Sequence, residues 1–367
     1  MTAILEFPYQ PDALTTPWLT AVLCSSGALD RAKVESFAWT VIHPDKGMTG
    51  ILVLLSLSYD LVEPNAPLTL VAKFSSPHPG LRAVVHSMGF FEREVRFYQE
   101  LAADTPVRSP RCYFAGVEPG EGWSLILLED LTGARNGSWV AGSSLTDLQL
   151  TLEAIALVHA AWWDSPVLER KRWLNLAGMT SAPQIQQVVV QSWSNFLDRL
   201  SVPVSLEIEE AGELMRRHLR TTSAYLLETQ PRTLIHHDFD GDNLLFPVID
   251  GKTEVVVIDW QLATRGHAAI DAAWLIAGQC EPALRRDHEQ DLLRSYHRLL
   301  VERGVAGYSF EQCWDDYRLA ILLAAARIVS SVGFQPGPVG GFWDVVFPRY
   351  CRALADLHVG ELLNALA

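Results

Sequence analysis

Paired cysteines, long apolar runs and a surplus of positive charge are all missing from this 367-residue chain. The five cysteines (Cys24, Cys112, Cys280, Cys313, Cys351) stand singly, with no CxxC pair. An odd, dispersed set excludes a disulfide framework and a zinc knuckle. Apolar stretches such as "LAILLAAARIV" (Leu319–Val329) stop short of the roughly 20 residues a membrane span needs, so no membrane partner is expected. The opening "MTAILEFPYQPD" has neither a basic n-region nor an apolar h-region, so no signal peptide is expected and the location reads as cytoplasmic. Only 29 Lys and Arg face 43 Asp and Glu, a formal net charge of −14. That balance excludes nucleic acid as the natural partner, because phosphate binding wants a basic face.

What the chain does have is apolar mass, 49% of its residues, and a length that exceeds what one core usually supports. The first third reads as β-rich: "SFAWTVIHP", "GILVLLSLSYD" and "PLTLVAKFSS" are strand-like runs punctuated by Pro, Gly and Asp. Helical spacing follows over Leu81–Ala102, then two more strands in "RCYFAGV" and "SLILLEDL". From about Thr146 the period is helical, in "LTDLQLTLEAIALVHAAWW" and again around Gln184–Leu200, Leu206–Leu227, Arg285–Arg303, Phe310–Val332 and Phe342–Ala365. One β-like island, "LIHHDF" to "EVVVIDW", interrupts these helices. The expectation is an α+β protein of two lobes: residues 1–130, small and antiparallel with one long helix, and residues 131–367, mostly helical. The joint is expected at about residues 127–138.

The island carries "LIHHDFDGDNLLF" (Leu234–Phe246), two His and three Asp within seven residues. A calcium loop needs Gly at its sixth position and Glu at its twelfth, where this chain has Asn243 and Ile249. A zinc site is poorly served, because adjacent His236 and His237 point to opposite sides of an extended backbone. The remaining pattern is His-x-Asp-x4-Asn (His236, Asp238, Asn243), followed after about 20 residues by "VVVIDW" with Asp259 at a strand end. Phosphoryl transfer needs this arrangement: an Asp to meet an acceptor hydroxyl, an Asn amide oxygen and a second Asp to hold Mg²⁺. It also needs an upstream lysine, and "LTLVAKFSS" puts Lys73 in an apolar strand where its ammonium requires an anionic partner. The helix "FFEREVRFYQEL" offers Glu94, the preferred partner, with Glu92 as the alternative. Asp240 and Asp242 read as solvated loop carboxylates, His159 as a core histidine, and Asp271 as a cap or anchor.

These residues carry a resemblance. "VAKF", "EREVRFYQEL", "SLILLEDL", "ALVHAAWW", "HHDFDGDNLLF" and "VIDWQLATRGHAAIDAAWL" follow one another as in the aminoglycoside phosphotransferase/choline kinase-like superfamily, in its ecdysteroid-kinase-like branch. The resemblance spans roughly Trp39 to Leu275. It implies a protein-kinase-like fold and an ATP- and Mg²⁺-dependent kinase acting on a small-molecule hydroxyl, in a monomer or homodimer. It assigns Lys73 to the donor phosphates, Glu94 to the lysine, and the backbone at Glu129, Asp130 and Leu131 to adenine. Asp238 becomes the base, Asn243 and Asp259 the Mg²⁺ ligands, and His236 and His237 structural members of the loop. The chain departs from the family at His237, where Gly is usual, and in "IHPDKGMTGILV", which has Gly47 and Gly50 but no GxGxxG. On those departures rests a second reading, a catalytically weak nucleotide-binding or scaffold protein on the same fold; a metal-dependent hydrolase is a third. Only 11 residues separate Asp259 from Asp271, too few for the activation segment a protein substrate requires. The acceptor reads as a small molecule, with an aminoglycoside-like sugar, another antibiotic, an amino alcohol and a steroid-like alcohol all open.

Overall fold

The computed structural model describes residues 6–42, 50–174, 182–331 and 341–366. Gly47 of the expected phosphate-covering loop lies outside the described residues. The chain forms two compact units, and the first passes to the second between Ala134 and Arg135.

The first unit is an antiparallel sheet of five strands: β1 (Val34–Val41), β2 (Gly50–Tyr59), β3 (Thr69–Ser75), β4 (Cys112–Val117) and β5 (Ser124–Glu129), in the order β1-β2-β3-β5-β4. Helix α1 (Thr16–Ser25) packs beside β1, and α2 (Pro79–Ser87) and α3 (Phe90–Glu100) lie between β3 and β4 in sequence. Alternation along β3 sorts its side chains onto two faces. Leu70, Ala72 and Phe74 join a core with Leu19, Leu23, Val53 and Leu55. Lys73 points the other way, level with Leu52 on β2 and Ile126 on β5. Ile126 belongs to the cluster that packs under α3 with Val95 and Leu128. The helical stretch expected over Leu81–Ala102 is thus two helices, because Gly89 between them adopts φ 72°, a left-handed turn no continuous helix accommodates. Gly50 opens β2 where a Cβ would lie against the Phe74 carbonyl, so the strand can start there only without a side chain.

The first unit also takes in Val257–Leu262, a stretch within the residues 131–367 expected for the second lobe. The reason is Trp260. Its fully buried ring stacks on Phe97 of α3 at 4.0 Å and its indole N–H reaches Ser109 at 3.2 Å. Stacking of this kind adds about 1 kcal/mol beyond the area it buries.

The second unit is mostly helical: α4 (Leu145–Ala161), α5 (Pro166–Glu169), α6 (Ala182–Leu197), α7 (Leu206–Glu228), α8 (Ala269–Gln279), α9 (Pro282–Glu302), α10 (Phe310–Ser331), α11 (Phe342–Asp356) and α12 (Val359–Leu366). Ser144 starts α4 by accepting the Asp147 N–H. The apolar run Leu319–Val329 is the inner part of α10, which packs on α7, α8 and α11. Both α8 and α10 carry Ala at several buried positions, which lets helices approach closely. No described helix is long and apolar enough to cross a membrane. Short strands β6 (Arg135–Asn136), β7 (Thr233–Ile235) and β8 (Leu244–Phe246) frame the loop of interest, with β6 paired to β8 and β7 to Thr264–Gly266.

Gly241 sits in that loop where a Cβ would come 2.4 Å from Gln279 Nε2 and 2.6 Å from the Ser138 backbone nitrogen. Gly80, in α2, has nothing within 4 Å of the same position. We expect Gly241→Ala to lower stability by about 1–3 kcal/mol in urea titration, and Gly80→Ala to leave it unchanged or raise it.

Candidate active site

In the first unit one ammonium is held between two carboxylates. Lys73 Nζ lies 2.7 Å from Glu94 Oε2 and 2.8 Å from Asp259 Oδ1. Strand alternation aims Lys73 at the α3 side of the sheet. Helical phase delivers Glu94 there, on the stripe Phe91–Glu94–Val95–Tyr98. Glu94 is therefore the partner, while Glu92 faces outward and pairs with Arg96 at 2.7 Å. Asp259 occupies a left-handed position (φ 63°) in a turn fixed by Trp260 and by the Val257 N–H bonded to the Arg108 carbonyl at 2.9 Å. Asp and Asn tolerate this backbone region better than most residues. Its second oxygen accepts from Gln261 at 3.2 Å.

Two negative charges around one positive charge leave the group short of compensation. Burial works against the Lys73 ammonium, but Asp259 and Glu94 outweigh it and raise its pKa. Glu94 is pushed up to about 7, first by burial and further by Asp259, against the pull of Lys73.

At the end of β5, Glu129 pairs with Arg108 at 2.9 Å and accepts the Arg111 N–H. Asp130 caps the following turn through Thr132, whose N–H and hydroxyl, at 2.9 and 2.6 Å, outweigh partial burial and lower its pKa. The Glu129 N–H is bonded to the Arg111 carbonyl, and the Leu131 carbonyl accepts from Ala134. Two of the backbone groups in the stretch assigned to adenine are thus already engaged.

In the second unit the loop after β7 is hung from one buried carboxylate. Asp271, in the first turn of α8, accepts the backbone N–H groups of His236 and His237 at 2.7 and 2.8 Å, and His159 Nε2 lies 3.2 Å from it. His159 is fully buried, with Nδ1 2.6 Å from the Tyr296 hydroxyl. His237 takes φ 68°, which explains why glycine suits this position. Left-handed backbone costs a histidine about 1–2 kcal/mol. It persists because Asp271 binds its N–H and the Arg327 guanidinium its carbonyl.

Asn243 Nδ2 donates to the Asp238 carbonyl at 2.8 Å and to its carboxylate at 3.2 Å. Both neighbours are oxygens, so the amide nitrogen must face them and the amide oxygen turns away, available as an acceptor. Asp240 is not the solvated carboxylate expected from the sequence. It is 2% exposed, accepts from the Trp274 indole at 3.1 Å, and caps the turn to Asn243 through the Asp242 N–H at 3.0 Å. Burial, reinforced by Asp238, pushes its carboxyl well up. Asp242 is exposed, as expected.

A residue the sequence reading did not single out completes the cluster. Arg327, from the apolar run of α10, lies 3.6 Å from Asp238 Oδ1, and its guanidinium sits 4.1 Å over the Trp274 ring. Its only sequence signal is a lone cation in "LAAARIV", 89 residues beyond Asp238. Among the described residues, no group of three or more His, Cys, Asp and Glu is placed to hold a metal ion.

The fold recurs in solved structures across nearly their whole length. A choline kinase from Cryptosporidium parvum Iowa II matches with TM-score 0.52 and 10% identity, over 96% of this chain and 97% of that one. A thermostable mutant of aminoglycoside phosphotransferase APH(4)-Ia matches at 0.50 and 15%, over 93% and 99%. A mutant aminoglycoside 2'-phosphotransferase-IIIa in its GDP complex matches at 0.52 and 11%, over 95% and 99%. At such identities the likeness establishes a protein-kinase-like phosphotransferase fold. Residues 46–304 match the ecdysteroid kinase-like family. The chain belongs to that family and is a small-molecule kinase. No curated protein matches it by sequence.

The raised Glu94 pKa has a consequence for stability. Between about pH 4.5 and about 7 the unfolded chain has released this proton while the folded chain keeps it. Stability contributed at this site therefore falls as pH rises through that window. In urea titrations, the wild type is expected to lose stability across the window relative to Glu94→Gln, whose curve lacks this slope. Parallel curves for the two proteins would remove the assignment.

Proposed function

We propose that the chain transfers the γ-phosphoryl group of ATP, with Mg²⁺, to a hydroxyl of a small molecule. The observation that carries this reading is the lysine held between Glu94 and Asp259 at 2.7 and 2.8 Å. A charged, oriented ammonium inside a strand suits an anionic donor. Lys73 binds the donor phosphates, with the first unit as the nucleotide-binding lobe and the backbone around Glu129–Leu131 receiving adenine.

Each candidate donor is an oxygen of the kind magnesium takes. The Asn243 amide oxygen is turned away from Asp238, Asp259 offers a carboxylate, and Mg²⁺ takes few protein oxygens when phosphates supply the rest. Asn243 and Asp259 would hold the ion, which would neutralise phosphate charge when bound. Asp238 accepts the proton of the acceptor hydroxyl. The hydroxyl oxygen forms a bond to the γ-phosphorus, the bond from that phosphorus to the bridging oxygen breaks, and ADP leaves with the electron pair. Asn243 keeps Asp238 in position, and the Asp271 anchor with His236 and His237 keeps the loop in shape. The second unit is then the catalytic and acceptor-binding lobe.

A screen of hydroxylated metabolites and antibiotics, with mass detection of the phosphorylated product, supplies the assay. Asp238→Ala is expected to lose about 10²–10⁴-fold in turnover while MgATP still stabilises the protein in thermal-shift titration. Asp259→Ala is expected to weaken that Mg²⁺-dependent stabilisation. An Asp238→Ala variant as fast as wild type would overturn the assignment of the base.

A further inference from the structure

Arg327 is an unusual neighbour for a base. Its guanidinium meets Asp238 Oδ1 at 3.6 Å, donates to the His237 carbonyl, and covers the Trp274 ring at 4.1 Å. Around Trp274 stands a cluster of rings: Trp139 at 4.8 Å and Tyr350 at 5.8 Å, with Phe342 against Trp139 at 4.7 Å. Aromatic faces beside a carboxylate attract an organic cation. Here the cation is supplied by the chain itself. Two neighbouring carboxylates are turned inward: Asp240 to the Trp274 indole, Asp271 to two backbone N–H groups and His159. The carboxylate assigned to the acceptor hydroxyl already has its counter-charge.

We propose that Arg327 is a specificity-determining residue that excludes cationic acceptors from Asp238 and the Trp274 face, so that the acceptor is an uncharged alcohol. This rests on the phosphotransferase reading. Among the acceptors the sequence left open, it removes the amino alcohols and amino sugars, whose ammonium groups would meet a guanidinium instead of a bare ring and carboxylate. Arg327 also positions the loop, since it holds the carbonyl of left-handed His237. A purely structural role would end there and would not touch charge selectivity.

The test compares choline with its uncharged isostere 3,3-dimethyl-1-butanol, followed by tryptophan fluorescence. Wild type is expected to respond to the isostere and not to choline at the same concentrations. Arg327→Met keeps an unbranched stem over Trp274 and removes the charge, so choline affinity should rise about tenfold relative to that of the isostere. Arg327→Lys should restore the exclusion. Circular dichroism and a wild-type MgATP thermal shift establish that each variant is folded. Wild type binding choline as tightly as the isostere overturns the proposal, and that arm needs no variant. A folded Arg327→Met that gains nothing for choline also overturns it. Loss of the MgATP shift in wild type would instead sink the phosphotransferase reading, and the two failures are told apart by that one control.

Discussion

One ammonium shared by two carboxylates organises the first unit. Lys73 cannot stay charged inside a β-strand without a partner, and Glu94 and Asp259 supply that partner from two other elements. Three separate elements must therefore agree. The register of β3 with β2 and β5 fixes where the lysine emerges, the phase of α3 fixes where Glu94 arrives, and the Trp260–Phe97 stack fixes the Asp259 turn. Burial, and then the second negative charge of Asp259, make Glu94 hold its proton more tightly against the pull of Lys73. A bound cation beside Asp259 would offset that second charge, which is the electrostatic logic behind the Mg²⁺ proposal.

The second unit solves a different problem, that of keeping a polar loop in one conformation among apolar helices. Asp271 does so by taking the two backbone N–H groups of the histidine pair, and Arg327 takes the carbonyl between them and Asp238. The strain of His237 is thus overdetermined by neighbours on α8 and α10. The buried cap at Asp240 and the Asn243–Asp238 bonds then set the rest of the loop. Side chains placed this way lose little freedom on meeting a ligand, which is what positioning for catalysis requires.

Much of this was legible from spacing alone. Lys73 in an apolar strand, Glu94 on a helical stripe and the Asp238–Asn243 interval each follow from a local period or a fixed offset. The misses share a cause: they depend on contacts distant in sequence. Asp240 reads as a wet loop residue until Trp274, 34 positions away, donates to it. Arg327 reads as a lone cation in a core helix until the loop meets it. Helix α8 gives no helical period because all of its residues are buried, so no polar face marks the turn of the helix. Gly89 was visible in the sequence, yet only its left-handed backbone shows that the expected single helix is two.

The proposed role of Lys73, held by Glu94 and Asp259, is to bind the phosphates of the donor. Isothermal titration of ATP with Mg²⁺ into wild type and Lys73→Met, both checked for folding by circular dichroism, tests it most directly. Saturable binding to wild type is expected, lost or greatly weakened in the variant. Equal binding by a folded Lys73→Met protein would contradict it.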